Sequence, residues 1–290
     1  MIKKTFNSQK ELFDHLRTNK KRLIAEKTFK KKSFYISQLN EQIFIDKQST
    51  TKAPIEVIEV ENGVYKATLI GNTFNWCDDQ MDVLFSGCAT KSIKELGPKG
   101  KDLIYHLKNH DTDTESRIGY LTDIYEKDFA LSDLGLAMQG NTTCLVFESD
   151  VQQGLCDNSF KQYVDKKVKQ HSIGLQYIKI VLCINDANDA EHFANWNKYY
   201  QFVINKPNVD SVGYFWAVTE IKLYEVSFVL WGSNELTGVI EESKESNKEQ
   251  SESTKNIEPI NFTQNYFEPS QDTTNVNVIS HISKTKYFDN

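Results

Sequence analysis

The chain has 290 residues, 39% hydrophobic and 12% aromatic, with a formal net charge of −6. That suffices for one sizeable core with appendages. No run of roughly 18 apolar residues is present, which excludes a helical membrane span, and the start, MIKKTFNSQKELFDHL, lacks the apolar centre of a signal peptide. Five scattered cysteines without a CxxC pair argue against a disulfide frame or a Cys-rich zinc site, and fit a reducing, cytosolic compartment.

Residues 1–32 hold eleven Lys and Arg against three acids. Such a basic arm is either a solvated helical face or a surface for an acidic partner or nucleic acid. Within it SQKE at 8–11 reads as a capping box, and Leu12, Phe13, Leu16, Leu23 and Ile24 follow with helical spacing. A helix over 8–26, outside the main core, is expected, followed by a polar linker to about residue 53.

Strand patterns begin at Ile55. IEVIEV and VYKATLI flank Glu61-Asn62-Gly63, a hairpin signal. A loop rich in Asp and Cys follows, then a short helix over 89–96 that stops at Gly97-Pro98. Further strands are expected at 102–109, 117–126, 134–139, 142–148, 168–184 and 213–231. Helices near 158–169 and 187–203 interrupt them, and 185–212 reads as an insertion able to reshape access to a site. Many strands without βαβ alternation predict an α+β fold, a mainly antiparallel β-barrel with flanking helices. From Glu241 the chain turns polar (EESKESNKEQSESTKN), the composition of a disordered tail. The expected organisation is a basic helical arm and linker (1–52), one folded domain (53–240) and an acidic, polar tail (241–290).

Within VKQHSIGLQYI (168–178) a serine sits in a strand beside a histidine. A serine hydroxyl needs a base within hydrogen-bond reach to act as a nucleophile. His171 is the wrong base, because neighbouring strand residues face opposite ways. Ser172 is expected to face inward and His171 outward. His15 lies in the N-terminal helix, His192 in the insertion, His281 in the tail and His106 within a strand. That leaves His110, where an apolar strand runs into a polar loop. His106 and His110 also form an HxxxH, which on a helix would suit zinc, but the context reads as strand and Leu107 stands where a metalloprotease has glutamate. In KLYEVSFVLWG (222–232), Leu223, Glu225, Ser227 and Val229 should share one face. Glu225 interrupts an apolar strand, so it either reaches solvent at an edge or accepts a hydrogen bond from a partner such as an imidazole.

Asn109-His110-Asp111 followed by Ile118-Gly119, then Ser172-Ile173-Gly174, then LYEVSFV (223–229) resemble, as an ordered set, the prohead maturation proteases of tailed bacteriophages. That family is related in fold to the herpesvirus capsid proteases. DDQMDVLFSGCATKSIKE (78–95) is similar to another of its segments, with Ala89 where an aromatic is usual. The resemblance covers roughly residues 53–240. It implies a serine endopeptidase that trims scaffold and capsid-protein extensions, and itself, inside the immature phage head in the host cytoplasm. Carried over by position, Ser172 is the nucleophile and His110 the general base. Glu225 is the third member, with Asp111 as the local competitor. Scaffold and major capsid protein are the implied partners. No cofactor, metal, nucleic acid or membrane is required, and self-association is left open. The rival reading is a non-enzymatic capsid-assembly protein of the same fold.

Overall fold

A computed structural model describes residues 6–29, 60–234 and 236–240. The expected linker, most of the first hairpin strand and the tail from 241 lie outside the described residues. In chain order the elements are α1 (Gln9–Phe29), β1 (Val64–Thr73), β2 (Asp82–Leu84), α2 (Thr90–Leu96), β3 (Tyr105–Lys108), β4 (Arg117–Ala130), β5 (Asn141–Gln152), α3 (Asp157–Val164), β6 (Gln170–Ile184), α4 (Ala190–Tyr200), α5 (Lys206–Val212) and β7 (Tyr214–Val229).

The local signals explain most boundaries. Ser8 Oγ accepts from Glu11 N (3.2 Å), and the Glu11 carboxylate reaches back to Asn7 N (3.0 Å), one residue beyond a standard box. Gly97 N bonds back to Ile93 O, and Pro98 cannot continue α2. Asp189 caps α4 by accepting from His192 N, and α5 ends on Gly213 at φ 76°.

β7 organises the sheet. Its whole length pairs antiparallel with β6 along one edge. The other edge is shared end to end by two parallel partners, β2 at Trp216–Val218 and β3 at Glu225–Phe228. Antiparallel pairings then carry the sheet from β3 through β4 and β5 to β1. The fold is thus α+β, but the sheet is mixed and not closed into the expected barrel. Its outer strands, β1 and β6, do not pair with each other. Residues 237–240 run between them instead. Ile70 N donates to Gly238 O (2.9 Å), Ile240 N to Thr68 O (2.8 Å) and His171 N to Thr237 O (3.3 Å).

The principal core joins one face of this sheet to α3, with Tyr65, Phe147, Tyr163, Ile173, Leu175, Val226 and Phe228 among its members. The first half of β7, YFWAV, is apolar throughout because both of its faces are covered. Phe215 and Ala217 pack with Trp196 and Val209 of α4 and α5, while Tyr214 and Trp216 pack with Phe13 and Leu16 of α1. The helix of the basic arm is therefore docked on the sheet rather than held outside the core. Its cations are matched too: Arg17 meets Asp186 and Asp189, Lys20 meets Glu191, and Lys27 reaches buried Asp82 at 2.5 Å.

Two other expectations differ. Residues 134–139 form a loop, turned by Gly135 (φ 81°) and Gly140 (φ 121°), and it anchors through Leu136. The three-residue β2, inside the Asp-rich loop, was too short to show any periodicity. All five cysteines are unpaired and four are buried. No helix among the described residues is long and apolar enough to cross a membrane.

Candidate active site

His110 sits in the turn that ends β3. Asp111 N donates to Lys108 O (3.0 Å), and the two central residues, Asn109 and His110, both have positive φ, 53° and 56°. This is the backbone of a type I′ turn, which asparagine tolerates and histidine adopts less readily. Asn109 N still bonds Phe228 O (2.9 Å), so the turn is tied to the end of β7. The His110 ring folds back over β7, where Nδ1 lies 2.6 Å from Glu225 Oε1.

Glu225 is brought there by a bulge. β6 and β7 pair Gly174 with Glu225 and then Leu175 with Leu223, leaving Tyr224 unmatched. The extra residue turns Leu223 into the core while Glu225 and Ser227 face the opposite side. The single face expected for Leu223, Glu225, Ser227 and Val229 is broken at that point. Leu223 keeps its backbone partners through Ser92 of α2, whose Oγ accepts from Leu223 N at 2.8 Å. The buried carboxylate is satisfied twice, by His110 and by Ser227 Oγ at 2.6 Å from Oε2.

Gly174 supplies the room. A Cβ at this position would lie 2.0 Å from Glu225 Oε1. Gly174→Ala is expected to push the carboxylate off Nδ1 and to lower stability by about 1–3 kcal/mol, the usual cost of overpacking. Urea unfolding measures the loss, and an unchanged midpoint would show that the carboxylate has space to move.

Ser172 pairs directly with Ser227 across the two strands, so its side chain projects from the same face as Glu225 and Ser227. It is half-buried, whereas His171 is fully buried. The two neighbours do face opposite ways, but the expected assignment is reversed: His171 points into the core and Ser172 away from it. His171 belongs to a polar chain within the core. Ser149 Oγ lies 2.8 Å from His106 Nδ1, His106 Nε2 lies 3.0 Å from the Tyr163 hydroxyl, and that hydroxyl lies 2.9 Å from His171 Nε2. Burial holds both imidazoles far below the ordinary histidine range, His171 at about 3. Gly119 belongs to this structure as well, because a Cβ there would meet Ser149 Oγ at 2.7 Å.

His106 and His110 serve different surroundings, one in the core and one in the turn beyond it, and their HxxxH does not converge on a common point. No group of three or more His, Cys, Asp or Glu gathers as a metal site among the described residues. Asp111 is exposed and turned to its own loop, accepting from Asp113 N (3.0 Å). That bond, then one from the Ser116 hydroxyl, keeps its carboxyl below the usual value. The 185–212 insertion packs on the far end of β7, around Phe215 and Ala217. Ten residues of strand, roughly 30 Å, separate Phe215 from Glu225, so this packing leaves the insertion at the opposite end of the strand from the site.

Chemically, His110 offers one usable atom. Glu225 can only accept when ionised, so Nδ1 carries the proton and Nε2 keeps its lone pair. Nε2 is buried and has no hydrogen-bond partner among the described residues, so the Ser172 hydroxyl is not engaged with it here. Ser227 and Ser92 are the residues that sequence reasoning passed over. Ser227 could have been found as the same-face neighbour of Glu225, while nothing in the sequence marks Ser92. Comparison with protein-family profiles, with curated proteins and with solved structures finds no match for this chain.

Proposed function

We propose that this chain is a serine endopeptidase in which Ser172 attacks the peptide carbonyl and His110 Nε2 accepts its proton. The observation that carries the reading is the 2.6 Å contact of His110 Nδ1 with buried Glu225, which leaves Nε2 as the free basic atom on the face from which Ser172 projects. Glu225 holds the tautomer and stabilises the imidazolium that forms. The imidazolium then protonates the departing amine, and water, activated by the same nitrogen, releases the acyl group from Ser172. In an uncomplexed enzyme the bond between nucleophile and base is often long and tightens with substrate. The resemblance noted above supplies the biological setting: maturation of a phage head, with capsid-protein and scaffold extensions as substrates.

The test is mass spectrometry of the purified chain and of a co-expressed capsid protein, wild type against Ser172→Ala. Processing by the wild type alone supports the reading. Normal processing with Ser172→Ala would favour the assembly-protein alternative. Glu225→Gln is expected to reduce kcat/KM by about 10⁴-fold, as for the acidic member of comparable triads. Asp111→Asn, whose partners lie in its own loop, should change it by less than tenfold. The reverse order in measured kcat/KM would transfer the third role to Asp111.

A further inference from the structure

We propose that Ser227 is the positioning residue of this site, holding Glu225 and the His110 turn in one closed circuit. Its chemistry follows from what each neighbour can do. A backbone N–H only donates, so Ser227 Oγ accepts from His110 N at 3.0 Å. An ionised carboxylate only accepts, so the same oxygen donates its proton to Glu225 Oε2 at 2.6 Å. Glu225 Oε1 then accepts from His110 Nδ1 at 2.6 Å, returning to the residue where the circuit began.

Each link constrains a different coordinate. The first holds the positive-φ backbone of His110 against β7. The second fixes the rotation of the carboxylate, so that Oε1 rather than Oε2 addresses the ring. The third sets the ring plane and the tautomer. Ser227 is fully buried, and the site's side chains are only 9% (His110) and 7% (Glu225) exposed, so water is poorly placed to replace a missing hydroxyl. A serine in a strand interior would otherwise be an unremarkable surface residue; here its hydroxyl serves two groups at once.

The kinetic arm of the test rests on the protease reading, and the spectroscopic arm does not. In wild-type protein the Nδ1 proton of His110, held against a buried carboxylate, should give a resolved downfield NMR resonance that disappears in His110→Ala. Ser227→Ala is expected to remain folded by circular dichroism and to lose this resonance. On a peptide carrying a cleavage site mapped in the wild-type chain, its kcat should fall by about 10²-fold with KM nearly unchanged, as for a catalytic group displaced by about an ångström. In a Glu225→Gln background the same substitution should cost less than about threefold, because it acts through Glu225. A folded Ser227→Ala that keeps the resonance, or one whose full loss persists in the Glu225→Gln background, overturns the proposal. If Ser227→Ala does not fold, Ser227→Thr decides: retained hydroxyl and retained resonance support the circuit, and a folded threonine variant without the resonance overturns it. An inactive wild type would sink the protease reading while leaving the spectroscopic arm to judge Ser227.

Discussion

Ser172→Ala and His110→Ala are each expected to reduce kcat by about 10⁶-fold, to the level left by substrate binding and passive charge stabilisation. The two losses should not add. Without the base the hydroxyl stays protonated, and without the hydroxyl the base has nothing to activate, so the double variant should match either single one. Both substitutions should leave the fold intact. Ser172 is half-buried and no bond ties it to His110, and the turn around His110 is held by backbone bonds that alanine keeps. Single-turnover kinetics on a mapped cleavage peptide checks all three variants. A double variant worse than either single by the product of the two losses would mean that the residues do not act as one unit.

Acid should destabilise the fold at mild pH, before its carboxylates titrate. His106 and His171 lie wholly inside the core, and burial depresses both imidazoles, His171 to about 3. An unfolded histidine binds its proton near pH 6.5. Below that value the unfolded state holds more protons than the folded one, so stability falls with pH and is fully present only above it. Each buried imidazole costs about 1.4 kcal/mol per pH unit, and the two together should cost about 5 kcal/mol between pH 6.5 and 4.5. That is comparable to the whole stability of many domains. The melting temperature should therefore drop by about 10–20 °C over this window. Asp111 and Asp189, held below the normal carboxylate value, add their own losses only at lower pH. A melting temperature flat from pH 6.5 to 4.5 would show that the Ser149–His106–Tyr163–His171 chain opens or accommodates a charge.

The parts of this fold legible in the sequence are those written within a few residues. The SQKE cap, the Gly97-Pro98 stop, and the long β6 and β7 all appear close to their expected places. What depends on distant partners was not legible. Nothing local says that β7 takes β2 and β3 in turn along one edge, or that the sheet stays open. Alternation in β6 shows that His171 and Ser172 part company, but both sides of that strand carry polar residues, so the pattern could not say which side is the core. Glu225 announces a partner through the cost of burying it. That the partner is His110 rather than Asp111 depends on a turn with two positive φ angles, which no spacing rule contains.

The short segment at 237–240 has a consequence for when this molecule becomes competent. It stitches Thr68 and Ile70 to His171, the residue next to the proposed nucleophile, across some 170 positions of sequence. A chain emerging from the ribosome meets β1 early and must wait for this stitch until position 240 has been made. Contacts so far apart in sequence are slow to form, so the seam should be among the last features to set. An enzyme assembled in this order would gain a rigid nucleophile strand only after nearly all of its described body exists, a delay that would guard a growing chain against its own chemistry.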